Sequence, residues 1–103
     1  MQRLTQEILR LCREYGECRV EAERMEEARR VKNALESVCA MARQRLDISD
    51  PALLVALLDA YEVTRDEGLL QEVLDVVGGN LDRLAVSAES VKLLAYCYYY
   101  VEE

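Results

Sequence analysis

The sequence predicts an all-α fold in which a helical hairpin or one long helix over residues 1–47 is followed by three shorter helices over residues 48–103. Ala, Leu, Glu and Arg, which are strong helix formers, dominate a chain with one Pro and four Gly. Apolar residues recur in steps of three and four, the spacing of one helix face. Capping residues separate the later helices. A chain of 103 residues, 51% of them hydrophobic, is long enough for one domain with a modest core.

Two apolar stripes run along the first 47 residues. The first comprises Leu4, Ile8, Leu11, Tyr15, Cys18, Ala22 and Met25. The second comprises Ala28, Val31, Leu35, Val38 and Ala42. The first stripe has the heptad spacing of a coiled coil. Between the two stripes the helical phase slips, which indicates a local overwinding or a change of packing partner.

Whether these stripes belong to one helix or to two stays open on the sequence alone. Gly16 is the only breaker, and no Ser, Thr, Asp, Asn or Pro lies between Gln6 and Lys32 to cap a second helix. A single helix would be about 65 Å long, which is unusual in so small a domain. The alternative is a hairpin with its turn at residues 15–17.

Capping signals define the later helices. Residues 49–51 predict a helix start, because Ser or Asp at the N-cap followed by Pro at the first helical position is favoured. This helix should end near Arg65, and Asp66 can cap the next one. Residues 78–80, Gly-Gly-Asn, should end that helix with a left-handed glycine.

The last predicted helix, which Ser87 starts and which runs to the C-terminus, has almost no polar face. A helix that is apolar on all sides must be covered on all sides, so we expect the next helix of a longer protein, or a second copy, to cover it. On this helix Tyr96, Tyr99 and Tyr100 share one face and Tyr98 lies elsewhere. The tyrosines either pack between helices or anchor a partner. The candidate interaction surface comprises Tyr96, Tyr98, Tyr99, Tyr100 and Val101.

A weak internal repeat relates two of these helices. A shift of 36 residues lays residues 55–58 on residues 91–94. The apolar positions that carry the pattern are Leu54, Leu57, Leu58, Tyr61, Leu70 and Leu74. Over residues 52–103 this pattern resembles the tetratricopeptide repeat, although Leu58 stands where that repeat has a glycine. The resemblance implies a segment of an α-solenoid whose concave face holds a peptide or a partner helix.

Charge divides the chain into two halves. Residues 1–48 carry 10 Lys and Arg against 9 Asp and Glu, a net charge of +1, whereas residues 49–103 carry 3 against 11, a net charge of −8. The acidic half disfavours nucleic acids and anionic membrane surfaces as partners, because both are polyanionic. This charge is typical of a solvated face that keeps a protein soluble, and the alternative is a docking surface for a basic partner. A less favoured alternative is nucleic-acid binding through the basic residues Arg24, Arg29, Arg30 and Lys32.

The sequence lacks the residues of common catalytic, metal and cofactor sites. It has no histidine, which removes the usual general base and most transition-metal sites. It also has no glycine-rich phosphate loop and no nucleophile elbow. The four cysteines form no CxxC pair, so we expect free thiols and a cytoplasmic location. We predict that the protein is not an enzyme and takes no cofactor or metal.

Taken together, these features predict a module for protein–protein interaction or scaffolding. Its partner is then a protein or a peptide of unknown identity. The alternative is a self-associating protein in which the first apolar stripe forms a coiled-coil-like homodimer.

Overall fold

A computed structural model describes residues 2–102 of the chain, with side chains from residue 3 onward. The regular elements in that range are all helical, so the predicted all-α fold is confirmed. The five α-helices are α1 (Gln2–Cys18), α2 (Met25–Ala42), α3 (Pro51–Thr64), α4 (Glu67–Gly78) and α5 (Ala88–Glu102). Single 3-10 turns lie at Ala22–Arg24, Arg43–Arg45 and Leu81–Arg83.

The first two helices form a hairpin rather than one long helix. α1 continues through Gly16 and ends at Cys18, and the chain turns at residues 19–21. The turn predicted at residues 15–17 is therefore wrong. Gly16 is exposed, and a Cβ added there would meet no neighbouring side chain or loop within 4 Å. Its surroundings give the helix no reason to break at that point.

The start of α2 coincides with the phase slip between the two apolar stripes. α2 begins at Met25, and no side chain caps it. Glu26 and Glu27 lie in its first turn, where carboxylates stabilise the positive end of the helix dipole. The slip therefore marks the beginning of a new helix, which capping residues alone did not reveal.

α3 is the central helix of the fold. It packs against α1, α2, α4 and α5. Its fully buried leucines are Leu53, Leu54, Leu57 and Leu58. Burial of each such side chain stabilises the fold by roughly 1.5–3 kcal/mol relative to exposure, so α3 organises the core. Ile8 and Leu11 of α1 and Leu35 of α2 belong to the same core.

Side-chain caps set the starts of α3, α4 and α5 where the sequence predicts them. The Asp50 carboxylate accepts a hydrogen bond at 3.4 Å from the amide three residues further on. Asp66 accepts hydrogen bonds from two amides in the first turn of α4, at 3.0 and 3.3 Å. The Ser87 hydroxyl accepts one at 3.1 Å from the first turn of α5. These caps satisfy amides that have no partner within their own helix.

The left-handed residue that ends a helix is Arg65 rather than a glycine. Arg65 has a φ of 55°, and its amide donates to the Tyr61 carbonyl at 2.8 Å, which closes α3. α4 ends at Gly78, within the predicted residues 78–80, but its C-cap Gly79 has a φ of −82°, so the predicted left-handed conformation is wrong. The Asn80 side chain instead donates to the Val76 carbonyl at 2.8 Å and satisfies the end of α4.

α5 packs on α3 through one face. Its three buried positions correspond, at the shift of 36 residues, to buried positions of α3: Leu54 with Ser90, Leu57 with Leu93, and Tyr61 with Cys97. The burial of equivalent positions in α3 and α5 is compatible with a helical repeat. Leu58 is fully buried, whereas its equivalent Leu94 is 40% exposed. Within this chain α5 is therefore not covered on all sides, and what covers the rest stays a prediction.

Candidate functional site

α5 carries the predicted interaction residues, and the structure divides them between two surfaces. Tyr96, Tyr99 and Tyr100 line a hollow between α5 and α3. Tyr98 and Val101 line a groove between α5 and α4. The buried face of α5 separates the two surfaces, so the five residues do not form one site.

The groove between α4 and α5 is apolar and open. It has a volume of about 350 Å³. α5 packs on α3 but makes at most slight contact with α4, which leaves the groove between them unfilled. The apolar side chains that line it are Leu74, Val77, Leu81, Leu94, Cys97, Tyr98 and Val101.

Exposed apolar residues of α5 extend this groove along the helix. Val91, Leu94, Tyr98 and Val101 are exposed to 64, 40, 69 and 69%, and we call them the α5 seam. Their steps of three, four and three residues are the spacing with which two helices pack side by side. Single exposed apolar residues are ordinary, but a contiguous set beside an apolar groove indicates a contact surface.

The hollow between α3 and α5 combines tyrosine rings with carboxylates, and we call it the tyrosine–carboxylate hollow. It has a volume of about 390 Å³, and its lining residues are Asp59, Glu62, Ala95, Tyr96, Tyr99 and Tyr100. The Tyr100 ring packs edge-on against Tyr61, with ring centroids 5.4 Å apart. Tyr99 packs edge-on against Tyr100 at 5.2 Å. The three rings form a row whose outer member, Tyr99, is 57% exposed.

The half-buried tyrosines of the hollow are hydrogen-bonded to carboxylates of α3. Tyr100 donates its hydroxyl to Glu62, and Tyr96 donates to Asp59. Burial raises the pKa of Asp59, while the Tyr96 hydrogen bond and the charge of Lys92 act in the opposite direction. Burial, with the hydrogen bond to Glu62, also raises the pKa of Tyr100. The phenols are therefore protonated at neutral pH and act as donors.

Two cations of the chain itself lie over tyrosine rings beside this hollow. The Arg65 guanidinium carbon is 5.6 Å from the centroid of the Tyr61 ring. The Lys92 nitrogen is 5.7 Å from the centroid of the Tyr96 ring. Arg65 also pairs with Glu62 at 3.5 Å. These cation–π contacts indicate that the tyrosine surface attracts positive charge.

The sequence patterns singled out the tyrosines but not the groups that complete the two surfaces. Asp59 and Glu62 lie three residues apart on α3, a spacing that places them on one helix face. That spacing is the signal that was available for the hollow. The α4 wall of the groove, with Leu74 and Leu81, depends on how α4 and α5 pack and has no comparable local signal.

Two of the four predicted basic residues of the N-terminal half are paired with glutamates. Arg24 pairs with Glu27 at 2.9 Å. Arg29 pairs with Glu26. These pairs give the surface at the start of α2 a mixed charge.

A larger hollow, of about 670 Å³, lies between α1 and α2. Its lining combines apolar side chains such as Leu4 and Val38 with Arg10. Arg10 is held within α1 by ion pairs to Glu7 and Glu14. Leu4 and Val38 already pack against the core and Arg10 is paired within its own helix, whereas Met41, which also lines the hollow, is 56% exposed.

The four cysteines are free thiols, as the sequence predicts. Cys18, Cys39 and Cys97 are buried, and Cys12 is half-buried. Burial raises the pKa of Cys12 and of Cys97 to about 11, and that of Cys39 to about 12. Burial also raises the pKa of Cys18. The thiols are protonated at neutral pH and are therefore weak nucleophiles.

The remaining evidence on function comes from metal ligands, membrane spans and related proteins. Within residues 2–102, no three His, Cys, Asp or Glu side chains are grouped so that they could hold a metal ion. The helices of this range do not combine the length and apolar character needed to cross a membrane. No protein-family model matches the chain, and no match was found among curated proteins or solved structures. Function therefore has to be inferred from the two surfaces of α5.

Proposed function

We propose that the chain is a protein-interaction module that binds a helix of a partner protein along the α5 seam and the adjoining groove. The observation that carries this proposal is the exposure of Val91, Leu94, Tyr98 and Val101 beside an open apolar groove. A partner helix with apolar residues at matching positions would cover both. Removing this surface from water would drive the association.

The burial pattern of α3 supports the proposal. Leu58, which corresponds to Leu94 at the shift of 36 residues, is fully buried among neighbouring helices. In helical arrays each unit covers the face that the preceding unit leaves open. A partner helix on the α5 seam would cover the exposed face of α5, just as neighbouring helices cover the corresponding face of α3.

A second copy of the chain is the alternative partner, and the residues beside the seam favour it. Ser90, Ala95 and Cys97 flank the seam and carry no charge at neutral pH, and Glu102 is the one acidic residue at a flanking position, so little like-charge repulsion opposes pairing about a two-fold axis. The homodimer predicted through the first apolar stripe is less favoured, because Ile8 and Leu11 of that stripe are buried within the chain.

The proposal is tested with a seam variant, Val91→Ser with Tyr98→Ser. A control variant, Val20→Ser with Met41→Ser, removes apolar surface that is exposed to 76 and 56% on the N-terminal hairpin. Each protein is used for affinity capture from extract of its native cell, with a photo-crosslinking residue at position 94 to report contact. We expect wild type and control to capture and crosslink the same protein, and the seam variant to lose it. Equal capture and crosslinking by all three would contradict the proposal.

Light scattering over a wide range of concentration separates the two candidate partners. A dimer that is present in wild type and control but absent in the seam variant would identify a second copy as the partner. A monomer at all concentrations, together with seam-dependent capture, would identify a different protein.

A further inference from the structure

We infer that the tyrosine–carboxylate hollow between α3 and α5 is a second binding site, which takes an arginine side chain of a protein partner. This second site is distinct from the proposed helix-binding site, because the buried face of α5 separates the hollow from the α5 seam. A peptide with one arginine can therefore bind here whether or not a helix binds to the seam.

The first argument is the aromatic surface of the hollow. Tyr99 is 57% exposed, and its ring packs edge-on against Tyr100, which in turn packs edge-on against Tyr61. Edge-to-face packing holds the row in place. The exposed Tyr99 ring is thus presented to a ligand with little freedom to lose on binding.

The second argument is the charge that surrounds the rings. Asp59 and Glu62 both line the hollow, and Glu62 accepts a hydrogen bond from Tyr100 and pairs with Arg65 at 3.5 Å. A carboxylate has acceptor capacity for about four hydrogen bonds, so each can still accept from a ligand. Residues 49–103 carry 3 Lys and Arg against 11 Asp and Glu, a field that attracts cations toward this end of the molecule.

The third argument is that the surface already binds cations of the chain itself. Lys92 lies over Tyr96, which lines the hollow, and Arg65 lies over Tyr61, whose ring packs against Tyr100. Tyr99 offers the same ring chemistry at an exposed position. A cation from outside the chain would therefore complete a pattern that is present at both neighbouring rings.

Arginine fits this arrangement better than lysine. Its guanidinium is planar, stacks on an aromatic ring and carries five donors that can reach two carboxylates together. The ammonium of lysine is more strongly hydrated and has no flat face to stack. Tyr99 would supply the stacking surface, and Asp59 and Glu62 the acceptors.

The test is a ¹⁵N NMR titration with the peptide Ac-Gly-Arg-Gly-NH2, with the citrulline peptide as its uncharged equivalent. We expect saturable shifts confined to amides of α3 and α5 around the hollow. The citrulline peptide should bind at least about threefold more weakly, because it lacks the charge for the cation–π contact. Equal binding of the two peptides, or shifts centred elsewhere, would overturn the inference.

Variants separate the site from general charge attraction. Tyr99→Ser and Glu62→Gln should each weaken binding about threefold or more, whereas Tyr99→Phe should preserve it. Asp82→Asn removes the same charge as Glu62→Gln from an exposed turn and should have little effect. Lys92→Gln should strengthen binding, since it removes a cation from beside the hollow. Equal weakening by Asp82→Asn and Glu62→Gln would count against a defined site.

The helix-binding proposal and the arginine-site proposal can be tested independently of each other. The seam variant should bind the arginine peptide as wild type does, because its substitutions lie outside the hollow. If Tyr99→Ser loses helical circular dichroism, Glu62→Gln and the citrulline peptide still decide the outcome. Loss of peptide binding in the folded seam variant would overturn the assignment of a separate site.

Discussion

The guanidinium of Arg43 binds both carboxylate oxygens of Glu72, with an N–O distance of 2.8 Å on each arm. Arg43 also reaches Asp66 at 2.9 Å, and Asp66 caps α4 through its other oxygen. Because Arg43 directly follows α2, this cluster ties the end of the first hairpin to the start of α4. Two-armed pairs of this kind fix orientation as well as adding energy.

Arg43→Ala is expected to lower the free energy of unfolding by about 1 kcal/mol, a value kept small because both acidic partners are about half exposed. Arg10→Ala, which breaks ion pairs within the single helix α1, is the matched control and should change the free energy of unfolding much less. Urea unfolding of the two variants measures the difference. Equal effects would show that the Arg43 cluster does not stabilise the contact between hairpin and α4.

The Arg43 cluster also predicts a pH dependence. Hydrogen bonding to Arg43 lowers the pKa of Glu72 below its ordinary 4.5. The stabilisation is therefore fully present above the unfolded-state pKa and is lost as pH falls through the lowered value. The stability difference between wild type and Arg43→Ala should be constant near neutral pH and should narrow below about pH 4.5. A gap that widens in acid would contradict this assignment.

The partly buried carboxylate of Asp59, which lines the hollow, is expected to lower the free energy of unfolding at neutral pH. Burial raises its folded-state pKa above 3.8, so the penalty for ionising it is fully present above the folded value and absent below 3.8. Asp59→Asn should therefore stabilise the protein at pH 7, by less than about 1 kcal/mol, and the gain should vanish in acid. The same variant should weaken binding of the arginine peptide. Thermal unfolding at several pH values, with the NMR titration, checks both effects.

Arg65 offers a test of backbone strain. A non-glycine residue at φ 55° is disfavoured by roughly 1 kcal/mol, which glycine avoids. Arg65→Gly and Arg65→Ala both remove the side-chain contacts with Tyr61 and Glu62, so they differ mainly in the backbone. Arg65→Gly should be the more stable of the two by about 1 kcal/mol. Equal midpoints in urea would indicate that residue 65 is not held in the left-handed conformation.

Leu58 and Leu94 form a matched pair for the open face of α5. Leu58→Ala should destabilise the protein by about 2–5 kcal/mol, since the side chain is fully buried. Leu94→Ala, at the equivalent position of α5, should cost less than about 1 kcal/mol because the side chain is 40% exposed. Unfolding at low protein concentration measures both. A large loss for Leu94→Ala would mean that the seam is already covered.

Helix boundaries with a local cap could be predicted from the sequence. Asp50, Asp66 and Ser87 start their helices as predicted, because each cap depends on a few neighbouring residues. The turn between α1 and α2 lacks such a cap, so the sequence leaves one helix or two open, and the turn lies after residues 15–17, where the hairpin alternative predicts it. Its position follows from how two apolar stripes pack, and only the phase slip near Met25 carried that information.

The two surfaces of α5 could be predicted only in part. Spacing alone places Tyr98 away from Tyr96, Tyr99 and Tyr100, as the structure shows. Spacing does not reveal which face meets α3, since nearly every position of α5 is apolar. Glu62, the α3 carboxylate that accepts from Tyr100, lies 38 residues earlier in the chain, so its role depends on tertiary packing.

The protonated, buried thiols can be used to measure local unfolding of the protein. A buried thiol of raised pKa is alkylated only while the helix around it is open. Each alkylation rate therefore reports how readily that part of the protein opens. Cys18 lies at the hairpin turn, Cys39 in the core and Cys97 in α5 beside the groove. Mass spectrometry of one alkylation time course therefore compares how readily the three regions open, without any introduced cysteine. A ligand in the groove should slow alkylation of Cys97 and leave the alkylation rates of Cys18 and Cys39 unchanged. The Cys97 rate would then report whether the groove is occupied.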